Sequence, residues 1–318
     1  MAFQVYNPKP LSAEAEKLLA ENGIISVRGD GDEKSDLLRD IRDADAIVVW
    51  KSSKYTIDKE VIDAAGRLKL IARFGTGMEI IDVEYARERD ILVTNTPTAN
   101  ANAVAEQTIY LLLALAKNGL SVNDRIRAGE FSSIWKTPAL ELAGKTLGLI
   151  GNGHIGSLVA KKARYGLDME VIGYNPHKSS VFPEEIKRVD SLDTLLSRAD
   201  VLSLHLPSTP ETRGMFGAEE FKKMKNEAYF INTSRGEIVD EAALISALQN
   251  GEIRGAGLDV FAKEPPEKDN PLFSLPNVVL TPHYGGHTKT AVERTGVQVA
   301  ESIVAVSRGE TPTFLYQG

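Results

Sequence analysis

Arg235, Glu264 and His283 are residue types that together could move a proton and hold an acid. Each stands in a short polar stretch that follows an apolar run: NTSRGEIVDEAAL, GLDVFAKEPP and TPHYGGHT. An imidazole gives or takes a proton near neutral pH. A carboxylate beside it fixes the tautomer and stabilises the imidazolium. A guanidinium offers a planar, permanently charged fork to a carboxylate and polarises the carbonyl next to it. This set suits hydride transfer to or from a carbon that bears oxygen, with His283 as acid/base and Glu264 as its partner. Asp259 is placed to orient the reactive end of a hydride carrier. His283 and His287 are four apart, like a metal pair, but Gly285 and Gly286 between them argue against the rigid helix such a pair needs. No metal is expected.

The carrier has a candidate seat in LGLIGNGHIG, residues 147–156. Gly151 permits a tight turn, Gly153 lets the backbone approach a pyrophosphate, and Gly156 lets a helix pack closely on its strand. The helix opening at Ile155 offers free N–H groups and a positive dipole end. His154 either touches the pyrophosphate or faces solvent. A second strand ends at Asn175, where a dinucleotide site usually has a carboxylate that binds the adenosine ribose and repels a 2′-phosphate. Asn175 bonds a hydroxyl but repels nothing, and His177 and Lys178 follow it. The expected cofactor is NAD, with NADP as the alternative.

The elements that must position these residues are legible as an alternation. Strand patterns fall at 3–6, 25–28, 46–50, 68–74 and 91–95, with amphipathic stretches between them such as SAEAEKLLAENG, where Ser12 is an N-cap candidate and Gly23 a stop. Residues 101–117 are apolar around most of a helix, so that helix is expected to be buried between domains or subunits. From Lys145 a second alternation supplies six strands, and the three polar stretches above follow its last three. Ligands bind at the carboxyl ends of such strands. The fold class is therefore α/β, with two doubly wound parallel sheets. The substrate domain is expected at 1–99 plus 288–318, because the helical pattern after His283 has no second sheet left to join. The dinucleotide-binding domain is expected at 100–287.

A chain of 318 residues suits two domains, and its 42% hydrophobic and 25% charged composition is that of a soluble globular protein. Net charge is −7 and no Lys/Arg cluster occurs, which argues against nucleic-acid or membrane partners. There is no cysteine, which excludes thiolate chemistry and cysteine-ligated metals. No signal-peptide core or membrane-length run is present, and a cytoplasmic protein is expected.

The chain resembles the D-isomer-specific 2-hydroxyacid dehydrogenases, the group of phosphoglycerate, hydroxypyruvate and glyoxylate-type enzymes. The resemblance is carried by RFGTGMEIID (73–82), NTPTANANAVAEQT (95–108), ELAGKTLGLIGNGHIG (141–156), LHLPSTPETRGMF (204–216), INTSRGEIVDEAAL (231–244), AGLDVFAKEPP (256–266) and LTPHYGGHT (280–288). It implies a flavodoxin-like substrate domain beside a Rossmann domain, an active site in the cleft between lobes, and a homodimer. It implies a small 2-hydroxy or 2-keto acid as substrate, with Arg235, Glu264 and His283 catalytic. Lys51, Ser52, Gly75, Thr76 and Gly77 match substrate-binding walls, together with Arg235 and His283. Leu206, Pro207, Thr233, Ser234, Arg235, Asp259, His283 and Gly285 match positions around the cofactor, and Trp135 a position near the subunit contact. Long phosphoglycerate enzymes carry a C-terminal regulatory domain, and serine-feedback control is not expected of this chain. A dinucleotide-sensing binding protein, like the corepressors that resemble this family, is the alternative. Formate enzymes of the same fold carry Gln where Glu264 stands.

Overall fold

Strands of Val, Ile and Leu buried on both faces, separated by helices, dictate parallel sheets with covered faces. The computed structural model describes residues 2–29, 33–50, 55–132, 138–176 and 181–317. Lys51, Ser52, Trp135, His177 and Lys178, named above, lie outside the described residues. The chain divides into two compact units, Met1–Asn100 with His287–Gly318, and Ala101–Gly286.

In the first unit β1 (Gln4–Tyr6), β2 (Ile25–Val27), β3 (Ala46–Trp50), β4 (Leu70–Phe74) and β5 (Leu92–Thr94) alternate with α1 (Ala13–Glu21), α2 (Lys34–Asp40), α3 (Lys59–Ala64) and α4 (Val83–Glu88). The strand order is β2-β1-β3-β4-β5, with every pair parallel, which is the flavodoxin-like order.

The second unit opens with α5 (Ala101–Ala116) and α6 (Gly119–Arg127). It continues with β6 (Thr146–Ile150), α7 (His154–Gly166), β7 (Glu170–Tyr174), β8 (Lys187–Arg188), α8 (Leu192–Arg198) and β9 (Val201–Leu204). After these come α9 (Ala218–Lys223), β10 (Tyr229–Asn232), α10 (Glu241–Gln249), β11 (Gly255–Leu258) and β12 (Val278–Leu280). The order β12-β11-β10-β9-β6-β7-β8 is a seven-stranded, all-parallel sheet. Six strands were expected. The addition, β8, is two exposed residues on the outer side of β7, and it carries no apolar signature. Helix α5 packs against α7 and the strands β10 and β11, and Leu111 and Leu115 lie over the bare backbone of Gly257.

The last helix, α11 (Lys289–Ser307), belongs to the first unit. It lies on α1 and β4, and its Val299, Ala300 and Ile303 join the core of Ala15, Leu19, Val48 and Leu70. Burying a side chain the size of Val or Ile is worth roughly 1.5–3 kcal/mol, so α11 closes that core and does not merely decorate it.

Most helices begin on a side-chain cap: Ser12 for α1, Asp58 for α3, Asp82 for α4, Ser191 for α8, Asp240 for α10 and Thr288 for α11. Helix α7 begins on Gly153 with none.

An aspartate latches the amino edge of each sheet in the same way. Asp45 precedes β3; its carboxylate accepts the Gln4 N–H at 3.0 Å and its own N–H returns to the Gln4 carbonyl at 2.8 Å. Asp200 precedes β9; its carboxylate accepts the Thr146 N–H at 2.8 Å and its N–H returns to the Thr146 carbonyl at 2.9 Å. Burial pushes both carboxyls up. The Gln4 N–H with Lys69 and Arg67 outweighs this at Asp45, and Lys225 with the Thr146 N–H does so at Asp200, leaving both below the ordinary carboxylate range.

No helix among the described residues is long and apolar enough to cross a membrane.

Candidate active site

The glycine turn joins β6 to α7. Gly151 has φ +96°, and a Cβ there would lie 2.4 Å from the His205 carbonyl oxygen. A Cβ on Gly156 would lie 2.4 Å from the Gly151 carbonyl oxygen, so the helix is seated directly on the turn. Gly153 differs, because a Cβ there would meet nothing within 4 Å. Its open face and the uncapped start of α7 form a cradle of backbone N–H groups into which a pyrophosphate fits. His154 is exposed on the first helical turn and Ile155 is half-buried behind it. Leu206 is buried against Gly151 in the core, and the Pro207 carbonyl accepts the Thr212 hydroxyl at 2.6 Å. Burial pushes the His205 ring down to about 3, so it is neutral, and its Nε2 lies 3.0 Å from Ser203 Oγ. Asn175 stands just past β7, where its amide nitrogen donates to Asn152 Oδ1 within the turn itself.

The three polar stretches follow β10, β11 and β12 at one edge of the same sheet. Asn232, the last residue of β10, shapes the first loop. Its Oδ1 accepts the Ser234 N–H at 3.0 Å and the Ser234 hydroxyl at 2.8 Å, while its amide donates to the Arg235 carbonyl at 2.9 Å. The Arg235 guanidinium donates to the Ser234 carbonyl at 2.8 Å. Thr233 is tied to Thr108 of α5, hydroxyl to hydroxyl, at 2.9 Å. At Gly236 a Cβ would lie 2.0 Å from the Phe261 carbonyl, so the Arg235 loop rests on the chain that carries Glu264.

His283 Nδ1 lies 2.9 and 2.8 Å from the two carboxylate oxygens of Glu264. That contact places the proton on Nδ1 and leaves Nε2 to carry the chemistry. His283 has φ +53°, a left-handed conformation uncommon outside glycine. Asp259 holds it there. The carboxylate of Asp259 is 2% exposed and accepts the Thr281 hydroxyl at 2.5 Å, the Tyr284 N–H at 2.8 Å and the Gly285 N–H at 2.9 Å. Gln107 of α5 donates to Thr281 Oγ1 at 3.0 Å behind it. An apolar pocket of about 480 Å³, lined by Phe261, Pro265, Pro266, Phe273, Leu280 and Pro282, opens against Glu264. Apolar walls lower the local dielectric and strengthen the carboxylate–imidazole contact.

In the first unit the loop after β4 has a different organisation. Gly75 has φ +129°. Its N–H, expected to be offered to a ligand, is instead donated to Thr96 Oγ1 at 3.1 Å. Three successive carbonyls are engaged by the protein: Gly75 by the Thr96 N–H at 3.0 Å, Thr76 by the Asn95 amide at 3.0 Å, and Gly77 by Arg73 Nε at 2.7 Å. Arg73 is 5% exposed and also donates to the Val49 carbonyl at 2.9 Å. Among the described residues no acceptor takes the N–H of Thr76 or Gly77, and these two donors suit an anion.

The sequence reading missed Asn152, Asn232, Thr281, Arg73 and Asn95. Asn232 and Thr281 open two of the stretches quoted above, so a polar residue at or just past the end of a buried strand was the available signal. Among the described residues no three His, Asp or Glu side chains gather as a metal site would require.

Residues 109–285 match the family model for the NAD binding domain of D-isomer specific 2-hydroxyacid dehydrogenases. The chain is 44% identical over 303 residues to D-3-phosphoglycerate dehydrogenase of Methanocaldococcus jannaschii, covering 95% of this chain and 57% of that protein. It thus spans little more than half the length of the phosphoglycerate dehydrogenases of Methanocaldococcus jannaschii, Archaeoglobus fulgidus and Mycobacterium leprae that it matches. Among solved structures it is similar to an NAD-complexed D-isomer specific 2-hydroxyacid dehydrogenase from Lactobacillus delbrueckii, with TM-score 0.84, 30% identity, and coverage of 99% and 100% of the two chains. It is likewise similar to an acyclic imino acid reductase in complex with NADPH and D-Arg, with TM-score 0.88, 32% identity, and coverage of 99% and 100%.

Proposed function

The chain belongs to the D-isomer specific 2-hydroxyacid dehydrogenase family, and from that membership we propose that it interconverts a small D-2-hydroxy acid and its 2-keto acid with NAD. The observation that carries the proposal is the His283 Nδ1–Glu264 contact, 2.8 Å at its shorter arm, at the strand edge that also carries Arg235.

Gly151, Gly153 and Gly156 with the start of α7 would hold the dinucleotide's pyrophosphate, and Asn175 its adenosine ribose. When bound, the nicotinamide supplies or accepts the hydride. The residues of the chain do the rest. His283 Nε2 gives a proton to the 2-oxygen in reduction and removes it in oxidation, while Glu264 stabilises the imidazolium that is present before reduction and after oxidation. Arg235 pairs with the acid's carboxylate and polarises the adjacent carbonyl. The N–H groups of Thr76 and Gly77 are further donors proposed for that carboxylate. Asp259 keeps His283 in its left-handed turn, so the ring is oriented before substrate arrives.

The substrate classes to test first are 3-phosphoglycerate with its keto acid, and glyoxylate with hydroxypyruvate. The proposed assembly is a homodimer. It is supported by Tyr110, Leu120, Ile126 and Phe131, large apolar side chains exposed on α5, α6 and the segment after them. The proposed setting is the cytoplasm, where both reactants are dissolved. Steady-state oxidation of NADH with a panel of 2-keto acids, pyruvate included, tests the reading. Turnover of at least one acid is expected. Tight dinucleotide binding with no turnover on the whole panel would make the chain a binding protein instead.

A further inference from the structure

Asn152 occupies the turn between Gly151 and Gly153, and its side chain bonds on both sides. Its amide nitrogen donates to the Val181 carbonyl, and its Oδ1 accepts from the amide nitrogen of Asn175. A backbone carbonyl only accepts, so Val181 fixes which way the Asn152 amide faces. Asn152 must therefore turn Oδ1 toward Asn175, and Asn175 must answer with its NH₂ group.

That chain of bonds bears on cofactor choice. Asn175 stands at the end of β7, where a dinucleotide site reads the 2′ position of the adenosine ribose. A side-chain amide can present a donor or an acceptor there. A donor favours a 2′-phosphate and an acceptor favours a 2′-hydroxyl. The bond to Asn152 holds the Asn175 NH₂ toward the glycine turn. No formal charge is involved at either residue.

We infer that Asn152 is a specificity-determining residue: by holding the Asn175 amide in one orientation it makes a carboxylate-free site prefer the 2′-hydroxyl of NAD over the 2′-phosphate of NADP. This rests on the dinucleotide reading above but not on the identity of the acid. Asn152 acts through Asn175 and is a positioning residue.

The test is direct binding of NAD⁺ and NADP⁺ by isothermal titration calorimetry, with no acid present. Wild type is expected to bind NAD⁺ more tightly. Asn152→Leu, which cannot hold the Asn175 amide, is expected to narrow the NAD⁺/NADP⁺ affinity ratio by about 3- to 10-fold, the scale of one neutral hydrogen bond. Asn152→Asp keeps an acceptor for Asn175 and adds a negative charge, and it is expected to widen the ratio. Opposite shifts at one position cannot come from misfolding. In an Asn175→Leu background the Asn152→Leu effect is expected to vanish. A ratio unchanged in Asn152→Leu, or an effect that persists without Asn175, would overturn the inference and leave the proposed function intact. No binding of either dinucleotide by wild type would overturn both.

Discussion

The two sheets are alike at their amino edges and opposite at their carboxyl edges. At the amino edges Asp45 and Asp200 make the same pair of bonds to the first strand of their sheets. At the carboxyl edges a buried ion organises each loop, but the ions differ in sign. Arg73 gathers carbonyls, those of Val49 and Gly77, while the N–H groups of Thr76 and Gly77 have no acceptor among the described residues. Asp259 gathers N–H groups, those of Tyr284 and Gly285, and thereby fixes the left-handed turn that presents His283. A buried cation thus yields a loop suited to an anion, whereas a buried anion yields a loop suited to a proton-carrying side chain. The common edge serves stability, and the contrasting edge serves chemistry.

The largest effect is expected where that contrast meets proton transfer. His283→Gln should lower kcat by at least about 100-fold, the usual scale of general acid–base catalysis, with the dinucleotide Kd nearly unchanged. His283→Asn accepts the left-handed backbone more readily. The same loss in both variants would separate proton transfer from loop strain. Unchanged turnover in stopped-flow or steady-state assays would remove His283 from its role.

A sharper test sets the two buried ions against each other. Arg73→Met and Asp259→Asn should each cost about 2–3 kcal/mol in urea denaturation, since each strands buried backbone partners. Their kinetic signatures should differ. Arg73→Met should raise KM for the acid and spare kcat, and Asp259→Asn should lower kcat and spare KM. Identical signatures would dissolve the contrast between the loops.

The smallest effect concerns the shared amino edge. Asp45→Asn and Asp200→Asn should each lose about 1–2 kcal/mol at pH 7 and leave kcat alone. Both carboxyls sit below their ordinary range when folded, so their contribution is present above about pH 4 and fades as the pH drops through the folded value. The gap from wild type should therefore shrink between pH 7 and pH 3 in chemical denaturation. A constant gap would mean the latch does not act through its charge.

The glycine turn, the six apolar strands and the Arg235, Glu264 and His283 stretches were legible because each is local, with a few residue types at short spacing beside an apolar run. What escaped notice was non-local or inverted. Strand β8 consists of Lys187 and Arg188, a charged pair with no strand pattern. Arg73 is a full charge inside a buried strand, against every expectation of hydropathy. Asn152 finds its partners at Asn175 and Val181, far along the chain. The three inward carbonyls at Gly75, Thr76 and Gly77 are a property of backbone direction, which residue type does not encode.

Helix α11 is made after residues 101–286 yet completes the core begun before them. On a ribosome adding about 5–20 residues each second, the face of α1 and β4 would wait roughly 10–40 s for its cover. Residues 101–286, which form the second compact unit, emerge in that interval. The apolar face of α1 and β4 therefore stays open to water during synthesis until α11 reaches it.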